Sequence, residues 1–121
     1  MDRNTVESIA KTSLLFDFYG GLLTERQREV MEFYHEENLS LAEIADEYGI
    51  SRQAVHDTLK KAETALADYE SKLGLVEKLM KSRQAIEEID AKIDELAAHT
   101  ADADAVKKLE EIKMIINKLE E

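Results

Sequence analysis

Residues 39–61 carry two consecutive helix signatures joined by a glycine, and this arrangement restricts the fold more than any other feature. Ser40 and Glu43 have the spacing of a capping box, which begins a first helix. Gly49 then supplies the left-handed conformation with which helices commonly end. Ser51 follows two residues later and is placed to cap a second helix. The stretch therefore predicts a helix-turn-helix.

Apolar residues fall where the two predicted helices must face each other. The small Ala45 lies where the helices would cross most closely. The full set of facing positions is Ile44, Ala45, Ile50, Val55 and Leu59.

Composition narrows the rest of the fold. No proline occurs among the 121 residues, only four are glycine and 36% are charged, which favours helices throughout. There is no cysteine, which excludes disulfides and thiolate metal sites. No apolar run approaches the ~20 residues of a membrane span, and the N-terminus lacks the apolar core of a signal peptide. We expect an all-α protein of the cytoplasm.

Two further helices are predicted before the motif. Residues 5–19 have apolar side chains at helical spacing and end at a glycine pair. Phe16, Phe18 and Tyr19 are expected to anchor this helix in the core, although a partner-binding groove would also use them. Within residues 22–35, a second capping box, at Thr24 and Gln27, opens a supporting helix and completes a unit of three helices.

The apolar spacing of the second motif helix continues far past the length that a groove-reading helix needs. Gly74 is the expected break in this run, although an uninterrupted helix is also compatible with one glycine. Beyond it, two apolar stripes are separated by a polar break in which Thr100 or Asp102 is placed to cap. We therefore predict a helix-turn-helix domain over residues 1–73 and a helical hairpin over 74–121 that forms a homodimer or docks a partner.

The net charge of −11 weighs against strong unaided DNA binding, because phosphate neutralisation supplies most of the affinity of duplex binders. Residues 22–70 contain five basic and twelve acidic residues. Only residues 51–61 have a positive net charge, since they contain three basic residues and one acidic residue, Asp57.

A small nucleic-acid-binding face is predicted on the second motif helix. Arg52 is suited to guanine and Gln53 to adenine, whereas Asp57 would oppose phosphates unless it accepted from a cytosine amino group. The alternative is a solvated helix face with no ligand. The predicted nucleic-acid-binding residues are Ser51, Arg52, Gln53, His56, Lys60 and Lys61.

Catalytic chemistry finds little support in the sequence. His35, His56 and His99 are scattered and have no cysteine partner. The carboxylate pairs are adjacent residues, which point in different directions on a helix. There is no glycine-rich phosphate loop. We expect no cofactor, no metal and no enzymatic activity.

Residues 22–66, with the sequence LAEIADEYGISRQAV at their centre, resemble region 4 of bacterial sigma factors. The whole chain resembles the YlxM family of small proteins, whose genes typically lie beside those for the signal recognition particle. The resemblance implies a sigma-region-4-like helix-turn-helix bundle with a C-terminal helical extension. It also implies a cytoplasmic accessory or regulatory factor of the particle that contacts its RNA or its protein. Thr58 departs from the sigma pattern, which has an apolar residue there.

Three functions therefore stay open. The first is a nucleic-acid-binding accessory factor of the signal recognition particle pathway. The second is a dimeric helix-turn-helix regulator that binds DNA. The third is a protein–protein adaptor in which the helices of residues 75–121 make the contacts.

Overall fold

All the regular elements of residues 3–119 are helices in the computed structural model, which describes this range and the side chains of residues 9–119. A 3₁₀ turn, Gly20–Leu22, follows the first helix, and a π-helical turn, Glu32–Glu36, follows the second. The prediction of an all-α helix-turn-helix bundle is confirmed. The α-helices are α1 (Arg3–Tyr19), α2 (Glu25–Met31), α3 (Leu41–Tyr48), α4 (Arg52–Leu73), α5 (Leu75–Ala98) and α6 (Ala103–Lys118).

The predicted caps begin the helices of the motif. The Gln27 amide donates to Thr24 Oγ1 over 3.2 Å, and the Glu43 amide donates to Ser40 Oγ over 3.1 Å. In both boxes the second side chain returns a bond to the backbone amide of the cap residue. The Ser51 side chain caps α4 by accepting from the Ala54 amide over 3.1 Å, without a returning bond from another side chain. Each cap satisfies amides that a helix start otherwise leaves without a partner.

Two glycines end helices in the left-handed region. Gly49 has φ of 65° and Gly74 has φ of 62°. After the first, the Ile50 amide donates to the Ala45 carbonyl over 3.0 Å, which is the bond of a Schellman turn. After the second, α5 begins at once with Leu75. The expected break at Gly74 is confirmed, and the alternative of one uninterrupted helix is wrong.

The supporting helix differs from its prediction. The pattern predicts one α-helix from the Thr24 cap to residue 35, but the α-helical bonding ends at Met31 and five residues of π-helix follow. This wider turn places the Phe33 ring against Tyr48 of α3, with the centroids 6.0 Å apart. It also places His35 Nε2 3.4 Å from Glu63 Oε1 of α4. Contacts with two other helices therefore accompany the change of helix type.

Contacts divide the chain into two compact units, Met1–Val76 and Glu77–Glu121. Four of the five predicted motif positions are buried in the core of the first unit, and Ile50 is half-buried. Of the predicted aromatic anchors, Tyr19 is buried and Phe16 is half-buried, but Phe18 is 40% exposed. The buried core consists of Tyr19, Leu23, Val30, Met31, Ile44, Ala45, Val55, Leu59, Ala62, Leu66 and Val76.

Tyr19 brings a hydroxyl into this core and uses it at the junction of α4 and α5. The hydroxyl donates to Glu70 Oε1 over 2.7 Å and accepts from the Leu75 amide over 3.1 Å. The same Glu70 oxygen accepts from the Val76 amide over 3.0 Å. Burial, followed by the hydrogen bond to Glu70, raises the pKa of Tyr19. Two side chains thus satisfy amides in the first turn of α5.

The second unit contains the rest of α5 and all of α6. Asp102 caps α6 by accepting from the Asp104 amide over 3.0 Å, as one of the two predicted caps. Lys113 of α6 pairs with Asp90 and Asp94 of α5, and the hydrogen bond with Asp94 raises the pKa of Lys113. The short connection over residues 99–102 makes the two helices antiparallel.

Replacing Tyr19 by Phe should expose the Leu75 amide to hydrogen exchange, because that amide loses its acceptor while the ring still fills the core. We expect faster exchange at Leu75 and Val76 and a lower melting temperature. Tyr69→Phe is the control, since the Tyr69 hydroxyl makes only a 3.4 Å bond to the Leu22 carbonyl. Equal exchange at Leu75 in the wild type and both variants would contradict a capping role for Tyr19.

Candidate nucleic-acid interface

The first three turns of α4 present the predicted face to solvent. All six predicted residues, Ser51, Arg52, Gln53, His56, Lys60 and Lys61, are exposed. Val55 and Leu59, which alternate with them, are buried in the core. The 3.6-residue period of the helix produces this division, because the buried stripe packs on the other helices of the unit.

The six residues do not form one cluster. Gln53 and Lys60 lie in one row along α4, because they are seven residues, or nearly two turns, apart. Arg52 and His56 form the adjacent row. Lys61 lies beyond Lys60 on the other side, about 180° around the helix from Arg52. Arg52, Gln53, His56 and Lys60 are therefore the part of the predicted set that a single flat ligand can contact together.

Asp57 lies in the row of Gln53 and Lys60, four residues after the first and three before the second, and it engages two members of the set. Gln53 Nε2 donates to Asp57 Oδ1 over 2.9 Å, and His56 Nδ1 is 3.8 Å from the same oxygen. The Ser51 hydroxyl is also engaged, since it accepts from the Ala54 amide. A base that Gln53 is to read must first replace the Asp57 carboxylate.

The cations of the face differ from Gln53 and His56 in their contacts with carboxylates. Among the side chains of residues 9–119, no carboxylate lies within ion-pair distance of Arg52, Lys60 or Lys61. Their charge is thus available to an anion. The first turn of α4 adds the positive end of the helix dipole.

Thr58, the departure from the sigma pattern, is half-buried beside this face. Its hydroxyl donates to the Ala54 carbonyl over 2.9 Å. This bond within the helix satisfies the hydroxyl, so a polar residue is accommodated in a partly buried position.

A cluster around Tyr48 holds α2 against α3 just before the turn into α4. The Arg26 guanidinium lies 4.1 Å above the Tyr48 ring, and the Tyr48 hydroxyl donates to Glu29 Oε2 over 2.6 Å. Burial, followed by the hydrogen bond to Glu29, raises the pKa of Tyr48 to about 12. The sequence reasoning missed this cluster. Its only local signal is that Arg26 and Glu29, three residues apart, share one side of α2.

No group of three or more His, Cys, Asp or Glu side chains among the described residues is arranged to hold a metal ion. Of the helices in residues 3–119, none combines the length and the apolar character that crossing a membrane requires.

The capped helices, the left-handed turn at Gly49 and the exposed face of α4 define a helix-turn-helix protein. The chain belongs to the UPF0122 family, whose model, described as "Putative helix-turn-helix protein, YlxM / p13 like", matches residues 6–112.

Relatives in several bacteria match most of this chain. A UPF0122 protein of Desulforamulus reducens is 46% identical over 109 residues, which is 90% of each chain. A UPF0122 protein of Thermoanaerobacter sp. is 42% identical over 107 residues, 88% of this chain and 92% of the relative. A UPF0122 protein of Symbiobacterium thermophilum is 45% identical over 89 residues, 74% of this chain and 83% of the relative.

The raised pKa of Tyr48 predicts a stability difference that depends on pH. The folded pKa of about 12 lies above the usual value of 10, so the neutral hydroxyl stabilises the folded state below pH 10 and this contribution is lost as the pH rises to 12. Tyr48→Phe should lower the free energy of unfolding by about 1–2 kcal/mol at pH 8 and by much less near pH 12.

Urea denaturation of both proteins from pH 8 to 11.5 measures this difference. Tyr34→Phe, which removes a hydroxyl from a residue that is 39% exposed, is the control and should have little effect. A Tyr48→Phe difference that stays constant across this range would show that the hydroxyl does not stabilise the fold through its proton.

Proposed function

We propose that this protein is a non-enzymatic regulatory protein that binds nucleic acid through the first three turns of α4. The observation that carries the proposal is the set of exposed cations on the first three turns of α4, which form no ion pair with the described side chains. Arg52 and Lys60 contact phosphates or base edges, and Gln53 reads a base after releasing Asp57.

The charge balance supports an accessory role. Arg52, Lys60 and Lys61 are three cations on a chain with a net charge of −11. Neutralising the two phosphates that Arg52 and Lys60 can reach together gives a log–log salt slope of roughly −2, which is small for a factor that binds a duplex alone. Binding within a larger assembly, where other contacts add affinity, suits this face better.

The resemblance to the YlxM family supplies the partner for the proposal. We assign the protein to the cytoplasm as an accessory factor of the signal recognition particle, bound to the RNA, the protein or both. A DNA-binding regulator is the second candidate. It is favoured by the position of Arg52 at the start of α4, the end from which motif helices contact bases in the major groove.

Binding of the purified protein to the assembled particle, to its RNA alone and to a random duplex, each at two salt concentrations, separates the candidates. Selective binding to the particle or its RNA supports the first candidate. Binding only to the duplex, falling steeply with salt, supports the second. Absence of binding to all three would overturn the nucleic-acid role.

The double variant Arg52→Ala, Lys60→Ala should weaken nucleic-acid binding and make the salt slope about 2 units less steep, because two phosphate contacts are lost. The control is Lys72→Ala, Lys81→Ala, which removes two equally charged residues that pair within their own helices with Asp68 and Glu77. Fluorescence anisotropy at three salt concentrations measures the slopes. Identical slopes for both double variants would exclude the α4 face.

Asp57→Asn should tighten nucleic-acid binding by about 3–10-fold, because one negative charge leaves the face and the bond that holds Gln53 weakens. Asp68→Asn is a matched control on the same helix. The two carboxylates are 59% and 58% exposed, and each substitution changes the net charge equally. If both variants bind equally well, only net charge matters and the α4 face carries no special role.

A further inference from the structure

Two neighbouring spaces lie between α1, the π-helical turn and α4. The first has a volume of about 310 Å³ and the second of about 260 Å³. Thr12 of α1 and His35 of the π-helical turn line both, so the spaces adjoin at these two residues. Each volume is near the lower limit of about 300 Å³ for small-molecule sites. We call the two spaces together the α1 cleft.

Apolar side chains form a wall of each space. Ile9, Leu15 and Leu66 line the first, and Phe16 and Met31 line the second. Leu66 and Met31 belong to the buried core, whereas Ile9 is 52% exposed. The α1 cleft therefore offers aliphatic and aromatic surface to the apolar part of a small ligand.

Carboxylates line both spaces beside these walls. Glu63 of α4 lines the first space, and Asp17 of α1 and Glu36 of the π-helical turn line the second. Among the side chains of residues 9–119, no Lys or Arg lies within ion-pair distance of these three carboxylates. Glu63 has His35 3.4 Å away, and that imidazole is a cation only when it is protonated. The charge of the α1 cleft thus complements a cationic ligand.

The distribution of the carboxylates favours an organic cation over a metal ion. They do not belong to any group of three or more metal-ligating side chains among the described residues. Because Glu63 lines one space and the other two carboxylates line the second, a linear molecule with a cationic group near each end suits them better than a single ion. Its methylenes can lie along the apolar walls, as the stems of lysine side chains do on protein surfaces.

The π-helical turn is a separate feature that supports a ligand site here. π-helices are rare, occur mostly as single turns and are frequent at functional sites. This turn, Glu32–Glu36, places His35 and Glu36 in the lining of the α1 cleft. The change of helix type therefore supplies polar groups to the cleft, in addition to the contacts with α3 and α4.

We propose that the α1 cleft binds a linear aliphatic diamine or polyamine. One ammonium group pairs with Glu63 in the first space, another pairs with Asp17 or Glu36 in the second, and the methylenes between them lie on the apolar walls. The site lies in the first compact unit. It shares no residue with the nucleic-acid face of α4 and does not depend on the function proposed for that face.

Titration of the full chain with spermidine, in the absence of nucleic acid, tests the proposal. We expect a Kd of about 0.1–1 mM by isothermal titration calorimetry, as suits a small ligand in an open cleft. Hexaamminecobalt(III) is the control ligand, because it carries the same charge as spermidine and has no methylene chain. It should bind at least about 5-fold more weakly, since it cannot cover the apolar walls.

A pair of double variants locates the site. Asp17→Asn with Glu63→Gln should raise the Kd for spermidine about 10-fold, because a carboxylate is lost from each space. Glu87→Gln with Glu88→Gln is the matched control, since it removes the same charge from two exposed residues of α5. The control should change the Kd less than about 2-fold. Circular dichroism checks that both variants keep the helicity of the wild type.

Three results would overturn the proposal: no spermidine binding at millimolar concentrations, hexaamminecobalt(III) bound as tightly as spermidine, or equal loss of binding in the two double variants. The second and third would show that the net charge of the chain alone attracts the amine. The salt-slope experiment on the α4 face is unaffected by any of them, so the two proposals fail separately.

Discussion

The first compact unit depends on one apolar stripe, which runs along α4 through Val55, Leu59, Ala62 and Leu66. The helices α1, α2 and α3 all pack against α4, and these four side chains are among the most completely buried in the chain. The other residues of the first turns of α4 are therefore exposed, except for the half-buried Ala54 and Thr58. The candidate interface is the outer side of α4, whose inner side is buried against the other helices.

The start of this stripe is determined by local chemistry. Ser40, Gly49 and Ser51 define where α3 begins, where it ends and where α4 begins, and each acts through bonds to residues close in sequence. Such features can be predicted from a sequence because the interacting groups are fixed neighbours. The same holds for the burial of Val55 and the exposure of Arg52, which follow from helical period alone.

Features that join distant segments were not predictable in this way. Tyr19 and Glu70 are 51 residues apart, and the stacking of Arg26 on Tyr48 joins α2 to α3. Their meeting depends on how the helices pack, which no local pattern encodes. The π-helical turn after Met31 belongs to the same class, since its contacts are with α3 and α4.

The exposure of the candidate-site residues was predictable, but the bonds between them were not. Periodicity indicated that Gln53, His56 and Asp57 are exposed. The negative charge of Asp57 indicated that it would oppose a phosphate. It did not indicate that Asp57 accepts a bond from Gln53, because that depends on the rotamers of both side chains.

Tyr48 uses three different parts of one side chain. Its ring face lies under Arg26, its ring packs edge-on with Phe33, and its hydroxyl donates to Glu29. Phenylalanine keeps the ring and lacks the donor, histidine offers a smaller ring, and tryptophan directs its donor elsewhere. No other natural side chain supplies all three contacts with this geometry. No substitution at position 48 therefore preserves all three contacts, although Tyr48 is only partly buried and takes no part in the proposed binding face.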